Sequence, residues 1–565
     1  MKKIIAMMLV LVMVIAVFAS CVEEGEYEVD AKGEVSITKK DETEPDASES
    51  DEGKGSDQGG SESSSESSSG SGSTGDSDSG QNIATDINGK KLFESAVPAN
   101  PEMEVQDLVI AYRDDTRYSR EWESPEGATG ELSEIITIRN DEVNKNLGTN
   151  IKYEILGSGD YMVCLAEYRD KIIGDVLNGT HKYDIIAGYA YAIANLEIRD
   201  CLANLADKNT FPYFDFSLPC WNQSIVKNTK VNNKLYYVTG DLNLSTFDAS
   251  IVTFVNKKLY NNMKLEGDPA DIQNFALEGK WTYEEMHKWS SRYRDVNADG
   301  VNDCADIHGI SVPYSSIPLD AFPAAWDLDY VVTNGNRHSY NILGNTKITQ
   351  ALTKVNSLLS AVDNHGVTNA DNRSICSLTG ARSEPIIHFV NDRAVFVMHK
   401  LWATPEDSEA IVSMSSEYGL MPMPKYDATQ TNYGTTTHDS YTLMVAPNHK
   451  NTDKGTCGKA ISAWLQLATE ESYMTVRDIY INRIVKPGSV SGDNATVKKS
   501  VRIFNVIADN IEFSFLDVYA PQLGNVLNTC WREAAMYGTT AEAQYAANQD
   551  LFNMNIQSLD EWLAK

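Results

Sequence analysis

Leu108-Val-Ile-Ala111, Ile151-Lys-Tyr-Glu-Ile155 and Tyr183-Asp-Ile-Ile-Ala187, with the segments Glu131 to Leu147 and Tyr161 to Leu177 between them, decide the fold. Four apolar residues in a row at Leu108 suit a short strand buried on both faces. Glu131 to Leu147 carries Leu132, Ile135, Ile136, Ile138 and Val143 at helical spacing. Tyr161 to Leu177 reads as a second helix stopping near Gly179, a residue suited to the left-handed cap. Strand alternating with helix is the pattern of an α/β protein, a parallel sheet with helices on its faces. Ligands in such sheets sit beyond the carboxyl ends of the strands, so Tyr189 and Tyr191 in the loop after the third strand are expected binding groups.

Outward from this stretch, the chain starts Met1-Lys2-Lys3, runs apolar from Ile4 to Phe18 and reaches Ala19-Ser20-Cys21. That is the order of an export signal, and the apolar run is shorter than the ~20 residues of a spanning helix. Residues 1–20 are therefore read as a removable signal. Cys21 after small residues resembles the bacterial lipobox, with Phe18 where Leu is usual, and this implies lipidation of Cys21 by a diacylglyceryl and palmitoyl-type anchor on the outer face of the cell membrane. Residues 21–103 are expected to form a disordered acidic tether, with a Ser/Gly/Asp tract from Ser61 to Ser79. Between 21 and 90 stand 19 Asp and Glu against 5 Lys and Arg, a net of −14 out of the chain's −32. The acidity thus belongs largely to the tether. It argues against nucleic-acid or anionic-membrane surfaces, which require basic patches.

The remaining body, from 104 to 565, is too long for one hydrophobic core and suits two lobes. Beyond Cys21 it holds seven cysteines without CxxC spacing, neither a zinc scaffold nor an even disulfide set. Cys201 and Cys220 could pair, but burial as small apolar groups is the expected state of most of the seven.

Along the body come Leu218-Pro-Cys-Trp-Asn222, Asn233-Lys-Leu-Tyr-Tyr237, Gly240-Asp241, Ile251 to Tyr260, and Gly279-Lys-Trp-Thr-Tyr-Glu-Glu285. Asn391 to Met398, Gly419 to Asp427, Tyr433, and Ser440 to Pro447 follow. In this order and spacing they resemble the family 1 extracellular solute-binding proteins, the carbohydrate-binding subunits of ABC importers. The resemblance implies a two-lobed, type II periplasmic-binding-protein-like fold with hinge-linked lobes and a ligand cleft. The N-terminal lobe would comprise 104–252 and 425–485, the C-terminal lobe 253–424 and 486–565. Thr253-Phe-Val-Asn256 would be the first crossing strand, and Tyr441 to Ala446 reads as the strand re-entering the first lobe.

The family's sites use loops after first-lobe strands and aromatic platforms from the second lobe. Carried onto this chain, that implies Tyr189, Tyr191 and Asp241, then Trp326 and Trp402, then Tyr433 and Asp439. Trp402, just beyond an apolar strand, is the leading platform, while Trp221 reads as structural. The implied function is capture of a carbohydrate, expected to be an oligosaccharide, by a monomer that delivers it to permease subunits. The alternatives are a surface-anchored glycan-degrading enzyme and a ligand-binding module for a sensor kinase.

One local motif stands apart. Asp295, Asn297, Asp299, the Val301 carbonyl, Asp303 and Asp306, with Gly300 in sixth place, match the EF-hand calcium spacing. Thr282-Tyr-Glu-Glu285 reads as a capping box opening the helix before it. Structural Ca²⁺ is the expected cofactor. No HExxH pair and no Gly-x-Ser-x-Gly elbow occurs, so no catalytic residue or catalytic cofactor is expected.

Overall fold

The computed structural model describes residues 26–29, 35–38 and 85–564, apart from 114–120, 125–127, 157–160, 194–199, 231, 301–305, 314–318, 336, 364–367, 370–383, 402–410, 412–413, 451, 454, 487–490 and 492–493. Cys21, Trp402, Val301 and Asp303 lie outside the described residues. The chain divides into Met1–Asn82 and Ile83–Lys565. In the first unit, Glu26–Val29 and Val35–Thr38 pair as an antiparallel ladder, where the tether reading expects no regular structure. Both segments alternate around Val, Ile or Tyr, a strand pattern that the acidic composition hides.

The second unit opens with β1 (Asp107–Arg113), α1 (Glu131–Leu147), β2 (Asn150–Leu156), α2 (Tyr161–Asn178) and β3 (Ile185–Tyr189). Local chemistry sets these bounds. Glu131 and Glu134 sit in the first turn of α1, where the helix dipole favours acids, and Gly148 closes it at φ 65. Leu132, Ile136, Val143 and Leu147 form its buried stripe, whereas Ile138 is exposed. The third strand begins two residues later than the apolar run suggests, so Tyr189 is its last residue and Ala190–Ile193 is already a helical turn.

The chain crosses to the second lobe into β4 (Ile251–Asn256), followed by β5 (Ile307–Pro313), β6 (Thr368–Asn369), β7 (Ala394–Lys400) and β8 (Tyr418–Met421). It returns as β9 (Thr442–Val445). The sheets are ordered β9-β3-β1-β2 and β6-β5-β7-β4-β8. In each, three parallel strands have the first in the middle, and the strand arriving from the other lobe lies antiparallel beside the third. This twice-repeated order is the type II two-lobed arrangement. The crossings are themselves paired: Ile251 N donates to Thr436 O at 3.0 Å and His438 N to Ala249 O at 2.9 Å.

A third connection is helical. α3 (Gly458–Glu471) packs on α1 and continues through a π-helical turn, Ser472–Val476, into α4 (Arg477–Val485), which packs on α5 (Ala495–Asp509). Trp464 of α3 stacks on Trp122 at 6.4 Å and donates Nε1 to Asn144 Oδ1 at 2.9 Å. The folded unit also begins earlier than residue 104. Lys90 is 4% exposed and donates Nζ to Met474 O at 3.0 Å and Asp478 Oδ2 at 2.5 Å. Phe93, Val97 and Met103 pack on the first-lobe core. The segment is short on apolar residues, but the wider carbonyl spacing of the π turn offers a cation acceptors that an α-helix would bond internally. Lys90→Ala is expected to cost about 1–3 kcal/mol by urea unfolding, the range for losing a charged hydrogen-bond donor at a buried site; an unchanged midpoint would mean that this strap contributes nothing.

Cys201, Cys220, Cys457 and Cys530 are all buried and form no disulfide, the state expected of most of the cysteines. One other expectation is corrected. Thr282 precedes the helix Tyr283–Ser290 with extended backbone but makes no side-chain cap bond, its backbone also forming a bridge with Lys425. Among the described residues no helix is long and apolar enough to cross a membrane.

Candidate ligand-binding cleft

The carboxyl end of β3 delivers Ala190 and Tyr191 to one wall of a groove of about 830 Å³, counting its open mouth. The returning segment supplies Thr436 to Asp439 and Tyr441, the second lobe Asp320 and Pro323, and the C-terminal helices a wall from Leu516 to Arg532. The groove therefore lies where the two lobes and their crossings meet.

Asp439 is the central charge. About half of its side chain is open to the groove, and Oδ1 lies 2.6 Å from His438 Nδ1. Burial works against its ionisation, but the charge and hydrogen bond of His438, the charge of Lys400 and the Tyr189 hydroxyl outweigh it and hold the carboxyl at about 2. Tyr189 is in turn fixed by the Arg113 guanidinium, 5.3 Å from its ring centre, and Arg113 donates to Ser440 O at 2.6 Å. Tyr191 lies 6.5 Å from Tyr189, ring to ring.

Opposite, Arg532 grips Asp320 with both Nε (2.8 Å) and Nη2, and its Nη1 donates to Asn528 Oδ1 at 2.7 Å. Asp517 closes a capping box with Ser514, and burial pushes its carboxyl up. Trp531 is buried and anchored by Nε1 to Leu319 O at 2.7 Å. Each carboxylate is oriented by a neighbouring donor and keeps acceptor capacity towards the groove. Two buried hydroxyls on the groove, Tyr441 Oη and Thr437 Oγ1, have no hydrogen-bond partner among the described residues. A polar group left so is costly unless something in the groove satisfies it.

Of the residues expected from the sequence, the structure brings Tyr189, Tyr191 and Asp439 together here. It removes three others. Asp241 is buried against Arg477, Nη1 to Oδ2 at 3.3 Å, and burial pushes its carboxyl up to about 7 against the pull of that guanidinium. Trp326 is fully buried, donating Nε1 to Pro424 O at 3.1 Å and packed on Phe322 at 4.5 Å. Tyr433 is buried, its hydroxyl donating to Ala276 O at 2.8 Å and accepting from Trp281 N at 3.0 Å. In all three the polar tip finds a partner inside the protein, which is how buried Tyr and Trp are ordinarily accommodated. Trp221 is structural, as expected: it is buried and donates to Gln466 Oε1 at 3.0 Å. The wall from Leu516 to Arg532 was not legible, because short C-terminal helices carry no local signal of facing a groove.

His399, at the end of β7, neighbours Lys400 and His438. Burial pushes its imidazole from 6.5 down to about 4. The unfolded chain thus binds this proton first as pH falls. The stability due to a neutral His399 is whole above 6.5 and is lost progressively as pH falls from 6.5 to 4. At about 1.4 kcal/mol per pKa unit the loss is on the order of 3 kcal/mol at most. The thermal midpoint is expected to fall more between pH 6.5 and pH 4 in the native protein than in His399→Gln; parallel curves would exclude His399 as the cause.

In the acidic loop, the helix ends at Ser290 and Tyr293–Arg294 then pairs with β5, so Asp295 leaves a strand and not a helix. Gly300 takes φ 76, as the sixth position requires. Asp295 accepts from Gly300 N at 2.9 Å, Asn297 donates to Asp299 at 2.8 Å, and Asp306 accepts from Val296 N at 3.0 Å.

No protein-family model and no curated relative matches the chain. Among solved structures, it is similar to an ABC substrate-binding protein from Listeria monocytogenes in complex with cycloalternan, at 13% identity and TM-score 0.47, covering 80% of this chain and 99% of that one. It is also similar to the sugar-binding protein MalE from Xanthomonas citri, at 11% identity and TM-score 0.46, covering 81% and 98%. An uncharacterized Listeria monocytogenes protein follows at 8% identity and TM-score 0.49, covering 81% and 100%. What places this chain in the two-lobed class is the strand order of its own sheets.

Proposed function

We propose that the protein is an extracellular binding subunit that captures a carbohydrate between its lobes and delivers it to an ABC importer, held to the cell membrane by a lipid on Cys21. The observation that carries this reading is the groove: an aromatic ring at Tyr191, the ionised Asp439, and the partnerless hydroxyls of Tyr441 and Thr437 converge at the carboxyl end of a first-lobe strand. Sugars offer apolar ring faces and many hydroxyls, and bind where an apolar surface meets oriented acceptors and donors. The carboxylates lining the groove are oriented by His438, Arg532 and Ser514, which fixes the directions in which they accept from a ligand. The paired crossings supply a hinge on which the lobes close.

Thermal unfolding of the full chain against a panel of mono- and oligosaccharides tests this. Ligand at 100 times its Kd stabilises by about 2.7 kcal/mol. A saturable rise in melting temperature with the sugar recovered intact is expected. A cleaved sugar would point to an enzyme, and silence across the panel to a ligand of another class. The same reading gives Asp295, Asn297, Asp299, Val301, Asp303 and Asp306 a structural Ca²⁺; a melting temperature indifferent to calcium and to chelator would remove it.

A further inference from the structure

Outside the cleft, the turn after α2 and the N-terminus of α3 bring three residues of different chemistry together. His181 Nε2 lies 2.9 Å from Asp184 Oδ1, and the Cys457 thiol joins them, the three donor atoms all lying within 4.8 Å of one another. The side chains of His181 and Asp184 are 11% and 9% exposed, and Cys457 is buried. Asp184 is held in place because its second oxygen accepts from Val109 N at 2.8 Å, and His181 Nδ1 lies 3.2 Å from Thr452 Oγ1. A second imidazole packs beside the group. His449 stacks on His181 at 4.1 Å, its side chain 1% exposed. Its Nε2 is bound to Tyr183 O at 2.8 Å, while the buried Nδ1 has no partner among the described residues.

We propose that His181, Asp184 and Cys457 form a structural site for a borderline-soft divalent cation of the Zn²⁺ type. The donor set decides the class. Nitrogen, carboxylate oxygen and sulfur together suit zinc and disfavour calcium and magnesium, which take oxygen shells. Zinc bonds of 2.0–2.3 Å in a tetrahedron place ligand atoms roughly 3.3–3.8 Å apart. The present 4.8 Å limit therefore requires a contraction of about 1.5 Å at most between the widest pair. The fourth place falls to water. On binding, the Cys457 thiol gives up its proton to solvent and the proton between His181 Nε2 and Asp184 moves to Nδ1, where Thr452 Oγ1 accepts it, so that thiolate, Nε2 and carboxylate all take the metal. The cation then ties the start of β3 to the start of α3, segments more than 270 residues apart in the chain.

The test is titration of the full chain with Co²⁺ alone, then displacement by Zn²⁺. A thiolate-to-cobalt charge-transfer band with tetrahedral d–d absorption, near one equivalent, is expected. Cys457→Ser should lose the charge-transfer band, and His181→Ala should weaken binding at least about 10-fold, the size of loss seen when even a supporting residue of a metal site is removed. Circular dichroism identifies variants that fail to fold. A second reading needs no variant: native protein should retain zinc through dialysis and lose melting temperature on chelation. An oxygen-only cobalt spectrum, a band unchanged in folded Cys457→Ser, or no zinc retained after dialysis would each overturn the proposal.

Discussion

Arg477→Leu is expected to lower the unfolding free energy by about 3–5 kcal/mol, the usual result of removing one partner from a buried charge network. Arg477 is 2% exposed and sits just past the π turn that joins the lobes. Its Nη1 reaches Asp241 at 3.3 Å, and its Nη2 reaches Asn505 at 3.0 Å and Asp509 at 3.3 Å. The guanidinium also lies 5.0 Å from the Tyr473 ring and 5.4 Å from Phe504. Burial works to strip its proton, but Asp241 and Asp509 keep it charged. Without the guanidinium, Asp241 is left buried near Asp509 with the lesser pull of Lys90 in its place. Urea unfolding of the variant measures the loss, and the double variant Arg477→Leu/Asp241→Leu should recover much of it, because matched apolar groups remove the unpaired carboxylate. A single variant within about 0.5 kcal/mol of native, the range of an ordinary surface substitution, would show that the network is not the tie between lobes that its geometry describes.

Asp439→Ala is expected to weaken carbohydrate binding by about 10- to 100-fold, since hydrogen bonds to a charged group contribute about 1.5–3 kcal/mol. The carboxylate stays ionised at any pH above about 2, so affinity should not fall as buffer is acidified from neutral to pH ~4 through this group. Calorimetric titration with the sugar that shifts the melting temperature provides the measurement. Asp241→Asn, which touches no groove residue, serves as the contrast. Equal affinities for native and Asp439→Ala protein would place the ligand elsewhere.

The contrast between these two aspartates shows where reading the chain succeeds and where it stops. Both looked alike in sequence, each an acid close to a lobe's crossing. Asp439 follows the paired crossing Thr436 to His438 and emerges at the groove. Asp241 is turned inward because Arg477, far along the chain, waits there. The same holds for aromatics. Tyr191 was legible because it follows a parallel strand, and the carboxyl end of such a strand is a binding position by topology. Trp326 and Tyr433 were not, since whether a ring faces a groove or a core depends on Phe322, Tyr426 and Trp281.

The sequence by itself determined the alternating elements of the first lobe and their order. Apolar runs of strand length, the 3.6-residue stripe of α1 and its closing Gly148 are local signals, each carried within one element, and the α/β class follows from their alternation. Tertiary structure alone decided which strands neighbour which, that residues from 85 onward belong to the folded unit, that Cys201 and Cys220 remain apart as thiols, and that helices near the C-terminus wall the cleft. Those outcomes depend on pairs such as Lys90 with Asp478, Arg532 with Asp320 and His181 with Cys457, separated by hundreds of residues. Local propensity acts over a few residues, whereas a burial or charge partner is fixed only when the whole core closes and each polar group must find a neighbour.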